Sequence, residues 1–185
     1  MMKHSKLKFV LLVVFLFFAQ SAFAKESARM PFPEAIKDSL PWFAVFELSN
    51  GNNPFTRNHL NAIAKKNQRV ALVYFATWCI PCRVGLKEIA AHADELTKAG
   101  TAVILVNVGE RENDLLMKYL KGFSLENMKT VVDPFGRLTE GFGLKKENEN
   151  MSLPRTIIVD SASKPLLMIG EEGDDFIGIL KGTVK

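Results

Sequence analysis

Residues Val70 to Arg83 read Val-Ala-Leu-Val-Tyr-Phe-Ala-Thr-Trp-Cys-Ile-Pro-Cys-Arg, and this stretch decides the fold. The first part, residues 70–76, is continuously apolar, which is typical of a central strand covered on both faces. The two cysteines follow at once and open a helix that we expect to reach about Ala99, where Gly100 ends it. Pro81 suits the first turn of this helix, because its missing N–H would have no partner there.

Strands alternate with helices on both sides of this segment. The hydrophobic patterns predict further strands at 42–48, 101–108, 129–132, 155–159 and 166–169. They predict further helices at 33–40, 56–67, 112–121, 138–142 and 174–181, with Thr56 and Asp174 as N-caps. This order favours an α/β fold with a central mixed β-sheet flanked by helices, the last two strands forming an antiparallel hairpin.

The first 24 residues form a separate unit. A basic start, with Lys3, Lys6 and Lys8, precedes eleven apolar residues over 9–19 and the small residues of Ala22-Phe23-Ala24. This is the pattern of a secretory signal, with cleavage expected before Lys25. The alternative is an uncleaved membrane anchor over residues 9–24, although eleven apolar residues are short against the roughly 20 that a bilayer needs. Both outcomes place the rest of the chain outside the cytoplasm, in the periplasm or an equivalent extracytoplasmic space.

The domain organisation follows from this division. We expect a signal peptide at 1–24, an N-terminal extension at 25–41 and one domain at 42–185, a size that can bury a substantial core. The signal carries three of the 24 Lys and Arg residues and none of the 20 Asp and Glu residues. Residues 25–185 therefore have 21 basic and 20 acidic side chains, a net charge of +1. No basic block interleaved with aromatic residues follows it, so nucleic acid is not expected as a partner.

The chain has two cysteines, Cys79 and Cys82. A bridge across so short a loop constrains the unfolded chain little, so its value is expected to be chemical rather than structural. The start of a helix favours negative charge, which makes Cys79 the expected attacking thiolate and Cys82, one turn further on, the resolving thiol. Trp78 would flank the first sulfur. No cofactor is expected beyond this redox-active pair.

Other uses of the pair are less well supported by the residues present. A zinc site would need a second pair of ligands, and the three histidines, His4, His59 and His92, are isolated from one another, so no metal is expected. A peroxidase normally relies on one peroxidatic cysteine in a different local setting. An inert disulfide is disfavoured by the short loop.

The segment Tyr74–Arg83 resembles the active-site segment of the thioredoxin superfamily, and most closely that of the exported TlpA/ResA-type branch. The resemblance covers roughly residues 42–182 and implies a thioredoxin fold. In this branch a carboxylate lies near the cysteines at a strand end, which Glu110 matches here. Ordinary thioredoxins carry a buried Asp on the first central strand, where this chain has Val73. The resemblance therefore implies that Glu110 exchanges a proton with Cys82.

A second matching segment, Ser152 to Thr156, resembles the cis-proline loop of the superfamily, which faces the cysteines and pairs with substrate backbone. The resemblance implies a cis peptide bond before Pro154. It also implies a set of substrate-contacting residues around the cysteine pair: Trp78, Ile80, Pro81, Leu153 and Pro154.

Three positions depart from the branch. It usually has Glu and Pro where this chain has Gly85 and Lys87, so the helix is expected to lack the usual kink. Arg155 replaces the common Thr after the cis-proline. An arginine there is expected to bias partners toward acidic or backbone-rich surfaces.

The expected function is reduction of protein disulfides outside the cytoplasm by a thiol–disulfide oxidoreductase acting as a monomer. The resemblance implies substrates such as the oxidised CxxCH motifs of apo-cytochromes c, as in cytochrome c biogenesis, and a membrane-embedded thiol reductase as electron donor. Two alternatives stay open: an oxidant or isomerase of secreted proteins, and a non-enzymatic module that binds a partner or Cu(I) through its sulfurs.

Overall fold

The computed structural model describes residues 25–49, 53–145 and 149–184. Its strands are β1 (Ala28–Met30), β2 (Ala44–Glu47), β3 (Pro54–Thr56), β4 (Arg69–Phe75), β5 (Thr101–Val108), β6 (Thr130–Asp133), β7 (Arg155–Asp160) and β8 (Pro165–Glu171). Its helices are α1 (Arg57–Ala64), α2 (Cys82–Ala91), α3 (Ala93–Lys98), α4 (Asn113–Lys121), α5 (Arg137–Gly141) and α6 (Phe176–Lys181), with a 3-10 turn at Glu34–Ile36. The signal peptide or anchor predicted at 1–24 lies outside the described residues.

The strands form one mixed sheet in the order β1-β8-β7-β4-β5-β6-β2-β3. Strand β4 pairs in parallel with β5 and antiparallel with β7, and the other parallel pair is β5 with β6. The hairpin β7–β8 is the predicted antiparallel pair. The predicted mixed sheet flanked by helices is thus confirmed.

The apolar run of β4 is buried on both faces of the sheet, as predicted. Ala71, Val73 and Phe75 join one hydrophobic cluster, which includes Leu86 of α2. The alternate residues of the same strand, Val70, Leu72 and Tyr74, join a second cluster on the opposite face, which includes Leu60 of α1. Successive side chains of a strand point to opposite faces. Since both faces are covered, neither set of side chains needs to be polar.

The helix predicted to run to about Ala99 is interrupted at His92, where α2 ends at Ala91 and α3 begins at Ala93. Helix α2 is continuous through Lys87, the position at which relatives carry the usual proline. Between them, His92 has φ −116° and ψ 17°, and its Nδ1 lies 2.9 Å from the carbonyl oxygen of Glu88. A side chain that reaches into the helical hydrogen-bond ladder is a known cause of a sharp bend.

The segment 25–41 contributes to the sheet rather than lying apart from it. Strand β1 pairs antiparallel with β8, and Ser27 donates its N–H to the Asp175 carboxylate over 2.7 Å. The helix predicted at 33–40 is reduced to the 3-10 turn, since the residue before Pro41 is biased toward extended backbone. The last helix is preceded by Asp175 rather than by the predicted cap, Asp174.

A membrane-spanning helix would need a long apolar stretch. Within the residues that the structure describes, none of the helices has the length and apolar character required to cross a bilayer.

Candidate active site

The two cysteines are joined by a disulfide bond at the junction of β4 and α2. Cys79 lies in the loop between β4 and α2, and Cys82 is the first residue of α2; their exposed fractions are 3% and 2%. The main-chain N–H of Cys82 donates to Sγ of Cys79 over 3.3 Å. This donor at a helix start would stabilise a thiolate on Cys79 once the bond is reduced.

The surroundings of the bond are apolar and open to solvent. The side chains of Trp78 and Ile80 are 63% and 71% exposed, and Pro81 is exposed beside them. Exposed large apolar residues next to a buried reactive bond are typical of a surface that binds another protein. The structure therefore brings three of the five predicted substrate contacts to the rim of the disulfide.

The other two predicted contacts are brought to the same place by β7. The peptide bond between Leu153 and Pro154 is cis, as the resemblance implied. Arg155, the next residue, pairs with Tyr74 near the end of β4 that leads to the cysteines. Pro154 lines a cavity of about 570 Å³ together with Pro81, and Leu153 lines a second cavity, of about 390 Å³, together with Trp78.

Glu110 lies beside the loop that precedes Cys79. Its carboxylate accepts hydrogen bonds from the Thr77 N–H over 2.9 Å, from the Thr77 hydroxyl and from the Asn107 side-chain amide. These contacts tie the end of β5 to the residues just before the first cysteine. The structure thus brings Glu110 to the active-site loop, through contacts with Thr77 rather than with a sulfur among the described hydrogen bonds.

Arg155 does not act as predicted. Its side chain is only 7% exposed, and the guanidinium contacts Sδ of Met30 in β1 and lies 3.5 Å from the Ser152 carbonyl oxygen. Burial lowers the pKa of the guanidinium. The expectation that Arg155 biases partner choice through surface charge was wrong, because β1 covers the residue, and the sequence patterns did not predict this strand.

The sequence patterns did not predict that Glu172, which follows β8 directly, lies near the cysteine pair. Its carboxyl packs on Gly85 of α2 and lines the same cavity as Pro81 and Pro154. Burial raises the pKa of Glu172 to about 7, and the Gly85 backbone lowers it by less. Only spatial contact relates residues 85 and 172, so spacing along the chain could not have linked them.

The described part of the chain contains no cluster of side chains suited to bind a metal ion. No group of three or more His, Cys, Asp or Glu side chains there lies close enough together to hold an ion.

The family follows from comparison with known proteins. Residues 36–164, most of the chain, match the model of the AhpC/TSA family. The chain belongs to the AhpC/TSA family. Because this AhpC/TSA protein carries its Cys79–Cys82 bond at the start of a helix, it is an enzyme of thiol–disulfide chemistry, a thiol–disulfide oxidoreductase. Comparison with curated proteins found no match.

Solved structures confirm that this AhpC/TSA protein has a thioredoxin-like fold. A secreted thiol-disulfide isomerase from Corynebacterium glutamicum is 22% identical, with a TM-score of 0.62 over 83% of this chain and 87% of the other. The thioredoxin domain of a thiol-disulfide oxidoreductase from Bacteroides vulgatus is 17% identical, with a TM-score of 0.59 over 80% and 96%. A peroxidoxin from Mycobacterium tuberculosis is 15% identical, with a TM-score of 0.61 over 86% and 96%.

Proposed function

We propose that the protein is an exported, monomeric reductant of protein disulfides of the TlpA/ResA type. The observation that carries the proposal is the buried disulfide at the start of α2. Sγ of Cys79 accepts a hydrogen bond from the main-chain N–H of Cys82, and the neighbouring side chains of Trp78 and Ile80 are apolar and exposed. Such a pair can hold a thiolate ready while a partner polypeptide covers it. Pro81 is the second of the two residues between the cysteines. The resemblance to proteins with a CxPC motif, which mostly have low reduction potentials, favours a reductant.

The proposed reaction is a two-step exchange. The Cys79 thiolate attacks one sulfur of a substrate disulfide, forming a mixed disulfide and releasing the other substrate sulfur as a thiolate. Cys82, as a thiolate, then attacks Sγ of Cys79 and releases the second substrate sulfur. The substrate gains two electrons, and the enzyme is left with the Cys79–Cys82 disulfide.

Other residues around the pair take the roles that the resemblance implies. Trp78, Ile80, Pro81, Leu153 and Pro154 are proposed as the substrate contacts. Glu110 is proposed as the proton partner of Cys82. Its contacts with Thr77 support a second role in this scheme, which is to hold the loop that carries Cys79.

The proposed substrates are CxxCH motifs of apo-cytochromes c, and the proposed electron donor is a membrane-embedded thiol reductase. The basic start, apolar run and small residues of segment 1–24 support export. Solved proteins of the same fold include a secreted disulfide oxidoreductase from Mycobacterium tuberculosis that is described as homologous to DsbE, with a TM-score of 0.57 at 11% identity over 77% of this chain and 96% of the other.

Three separate reactions, one for each class of substrate, test the proposal. The dithiol protein is mixed in turn with an oxidised CxxCH peptide, a reduced unfolded protein with a glutathione redox buffer, and hydrogen peroxide. Fast reduction of the CxxCH peptide supports the proposal. Faster net oxidation or reshuffling of the unfolded protein supports an oxidant or isomerase, and faster consumption of peroxide supports a peroxidase; either result overturns it. Retention of one Cu(I) without disulfide reduction would favour the binding module.

A further inference from the structure

The carboxyl of Glu172 occupies the space that a side chain at residue 85 would fill. A Cβ built on Gly85 would lie 2.6 Å from Oε1 of Glu172 and closer still to Oε2. Real Cβ atoms do not approach an oxygen so closely, and Gly85 is buried. Glycine at 85 and the carboxyl of Glu172 therefore form one packed unit on the face of α2.

This unit lies one helical turn from the reactive sulfurs. Cys82 and Gly85 are three residues apart in α2, and side chains at that spacing are neighbours on a helix, with Cβ atoms about 5–6 Å apart. Because the carboxyl lies where the Cβ of residue 85 would be, it is on the order of 5–8 Å from the Cβ of Cys82. The sulfur of Cys79 is bonded to that of Cys82, so both sulfurs lie in the same neighbourhood.

The carboxyl of Glu172 has the Gly85 backbone as a partner, and one of its two oxygens has none among the described residues. Oε2 of Glu172 is inaccessible to solvent and has no hydrogen-bond partner among the described residues. Loss of hydration raises the pKa of Glu172 to about 7, and the Gly85 backbone offsets this only in part. Glu172 therefore changes its charge in the pH range where thiols also begin to ionise.

Charged groups face Glu172 across the cavity from every element around it. They are Lys25, Glu88, His92, Glu171, Asp174 and Lys181. Each of the three cationic or basic groups already has an acidic neighbour: Lys25 pairs with Glu171, His92 lies 3.8 Å from Glu88, and Lys181 lies 2.8 Å from Glu95. The charge on Glu172 is thus poorly compensated, and the cysteine pair lies within its range.

We propose that Glu172 is a positioning residue of the redox centre, whose negative charge opposes a thiolate at the start of α2. Two negative charges at this distance in a partly buried site disfavour each other. A protonated Glu172 permits the thiolate, whereas an ionised Glu172 raises the proton affinity of the cysteine. The inference rests on the proposed role of Cys79 as the attacking thiolate.

The test measures the pKa of the Cys79 thiol in the reduced full-length protein, from the rate of iodoacetamide alkylation against pH. In Glu172→Gln, alkylation should be about three- to tenfold faster than in the parent protein at pH values above about 7, where Glu172 of the parent protein is ionised, and below the thiol pKa. At pH values well below 7 the two rates should be equal, because Glu172 is then protonated and carries no opposing charge. Peptide mapping identifies the modified cysteine. Alkylation of Cys82 first would contradict the assigned roles of the cysteines, while the coupling to Glu172 would still be read from the shift.

The matched control is Glu171→Gln, which removes the same charge one residue away. Glu171 is exposed and paired with Lys25, so its removal should leave the thiol pKa unchanged. The effect of Glu172→Gln should persist at 0.5 M salt, where the influence of exposed charges is screened. Equal shifts in both variants, or no shift in Glu172→Gln, would overturn the proposal.

A measurement on the unaltered protein covers the case in which the variant does not fold. Two coupled groups shift each other's pKa by the same amount. Ionised Glu172 raises the pKa of the Cys79 thiol, so the Cys79 thiolate must raise the pKa of Glu172 by an equal amount relative to the oxidised protein. Carboxyl ¹³C NMR of labelled glutamates, titrated in the oxidised and reduced states, reads this directly. The same Glu172 midpoint in both states would contradict the coupling.

Discussion

The main-chain N–H of Cys82 donates a hydrogen bond to Sγ of Cys79, over 3.3 Å. This contact makes the two sulfurs unequal, because Cys79 receives a donor at a helix start while Cys82 lies inside the first turn of α2. The neighbours of Cys79, Trp78 and Ile80, are exposed, so a partner protein can reach this end of the pair. This asymmetry leads to the prediction that Cys79 attacks the substrate and Cys82 resolves the mixed disulfide.

Substitution of each cysteine by serine separates their roles. Cys82→Ser should accumulate mixed disulfides with substrate, because Cys79 can still attack but nothing resolves the product. Cys79→Ser should trap no partner and lose turnover. Non-reducing gels of the two variants, each incubated with an oxidised CxxCH peptide, give the result. Trapping by Cys79→Ser instead of Cys82→Ser would reverse the assignment.

Glu110 is expected to stabilise the loop before Cys79. Glu110→Ala removes the acceptor of the Thr77 N–H and should lower the free energy of unfolding by about 1–3 kcal/mol. Glu110→Gln keeps one acceptor oxygen and should lose less. Urea unfolding of the oxidised proteins measures both.

The same pair of variants tests the proton-transfer role of Glu110. If Glu110 exchanges a proton with Cys82, Glu110→Gln should slow turnover and alter its pH profile while its stability stays near that of the parent protein. Turnover that follows stability alone, falling in Glu110→Ala but not in Glu110→Gln, would show that Glu110 acts only through the loop.

Much of this site could be predicted from the sequence because its signals are local. The apolar run of β4, the two cysteines and the helix after them lie within one continuous stretch, so periodicity and turn chemistry were enough. The cis bond before Pro154 was implied by a short segment whose match to a family is also local.

The errors come from contacts between distant parts of the chain. Strand β1 has three residues, too few for a periodic pattern, yet it covers Arg155 and determines that this side chain is buried. The contact of Glu172 with Gly85 joins residues that lie far apart in the chain, one after the last strand and one in α2. No spacing rule relates such residues, and only the folded sheet brings them together.

Ionisation of Glu172 should make stability depend on pH. The folded protein holds this proton up to about pH 7, whereas the unfolded chain releases it near the ordinary value of 4.5. The folded state therefore binds more protons in between, and stability should fall as the pH rises through that window, by at most about 3 kcal/mol. Glu172→Gln should lack this loss and gain stability relative to the parent protein at pH 8 but not at pH 4.

Thermal unfolding across that pH range measures the difference, with Glu171→Gln as the control of equal charge. Parallel stability curves for the parent protein and Glu172→Gln would contradict a raised pKa in the folded state.

A free N-terminus at Lys25, which cleavage of the predicted signal would create, is expected to stabilise the folded protein. The main-chain nitrogen of Lys25 lies 3.0 Å from Oδ2 of Asp174. Cleavage before Lys25 would turn that nitrogen into an ammonium group and convert the hydrogen bond into an ion pair, worth about 0.2–1 kcal/mol at an exposed site. A chain that starts at Lys25 should be more stable than the same chain acetylated at its N-terminus.

Asp174→Asn is the control, since it should reduce the difference between the free and acetylated chains. Equal urea midpoints for the free and acetylated forms would show that the contact does not favour a new N-terminus at Lys25.

The reduction potential of the Cys79–Cys82 pair tests the central claim most directly. Equilibration of the full-length protein with dithiothreitol or glutathione redox buffers at pH 7 gives its value. A reductant should have a potential near that of thioredoxin, about −270 mV. A value near about −120 mV would mean that the reduced form is strongly stabilised, as in a dedicated oxidant, and would contradict the account.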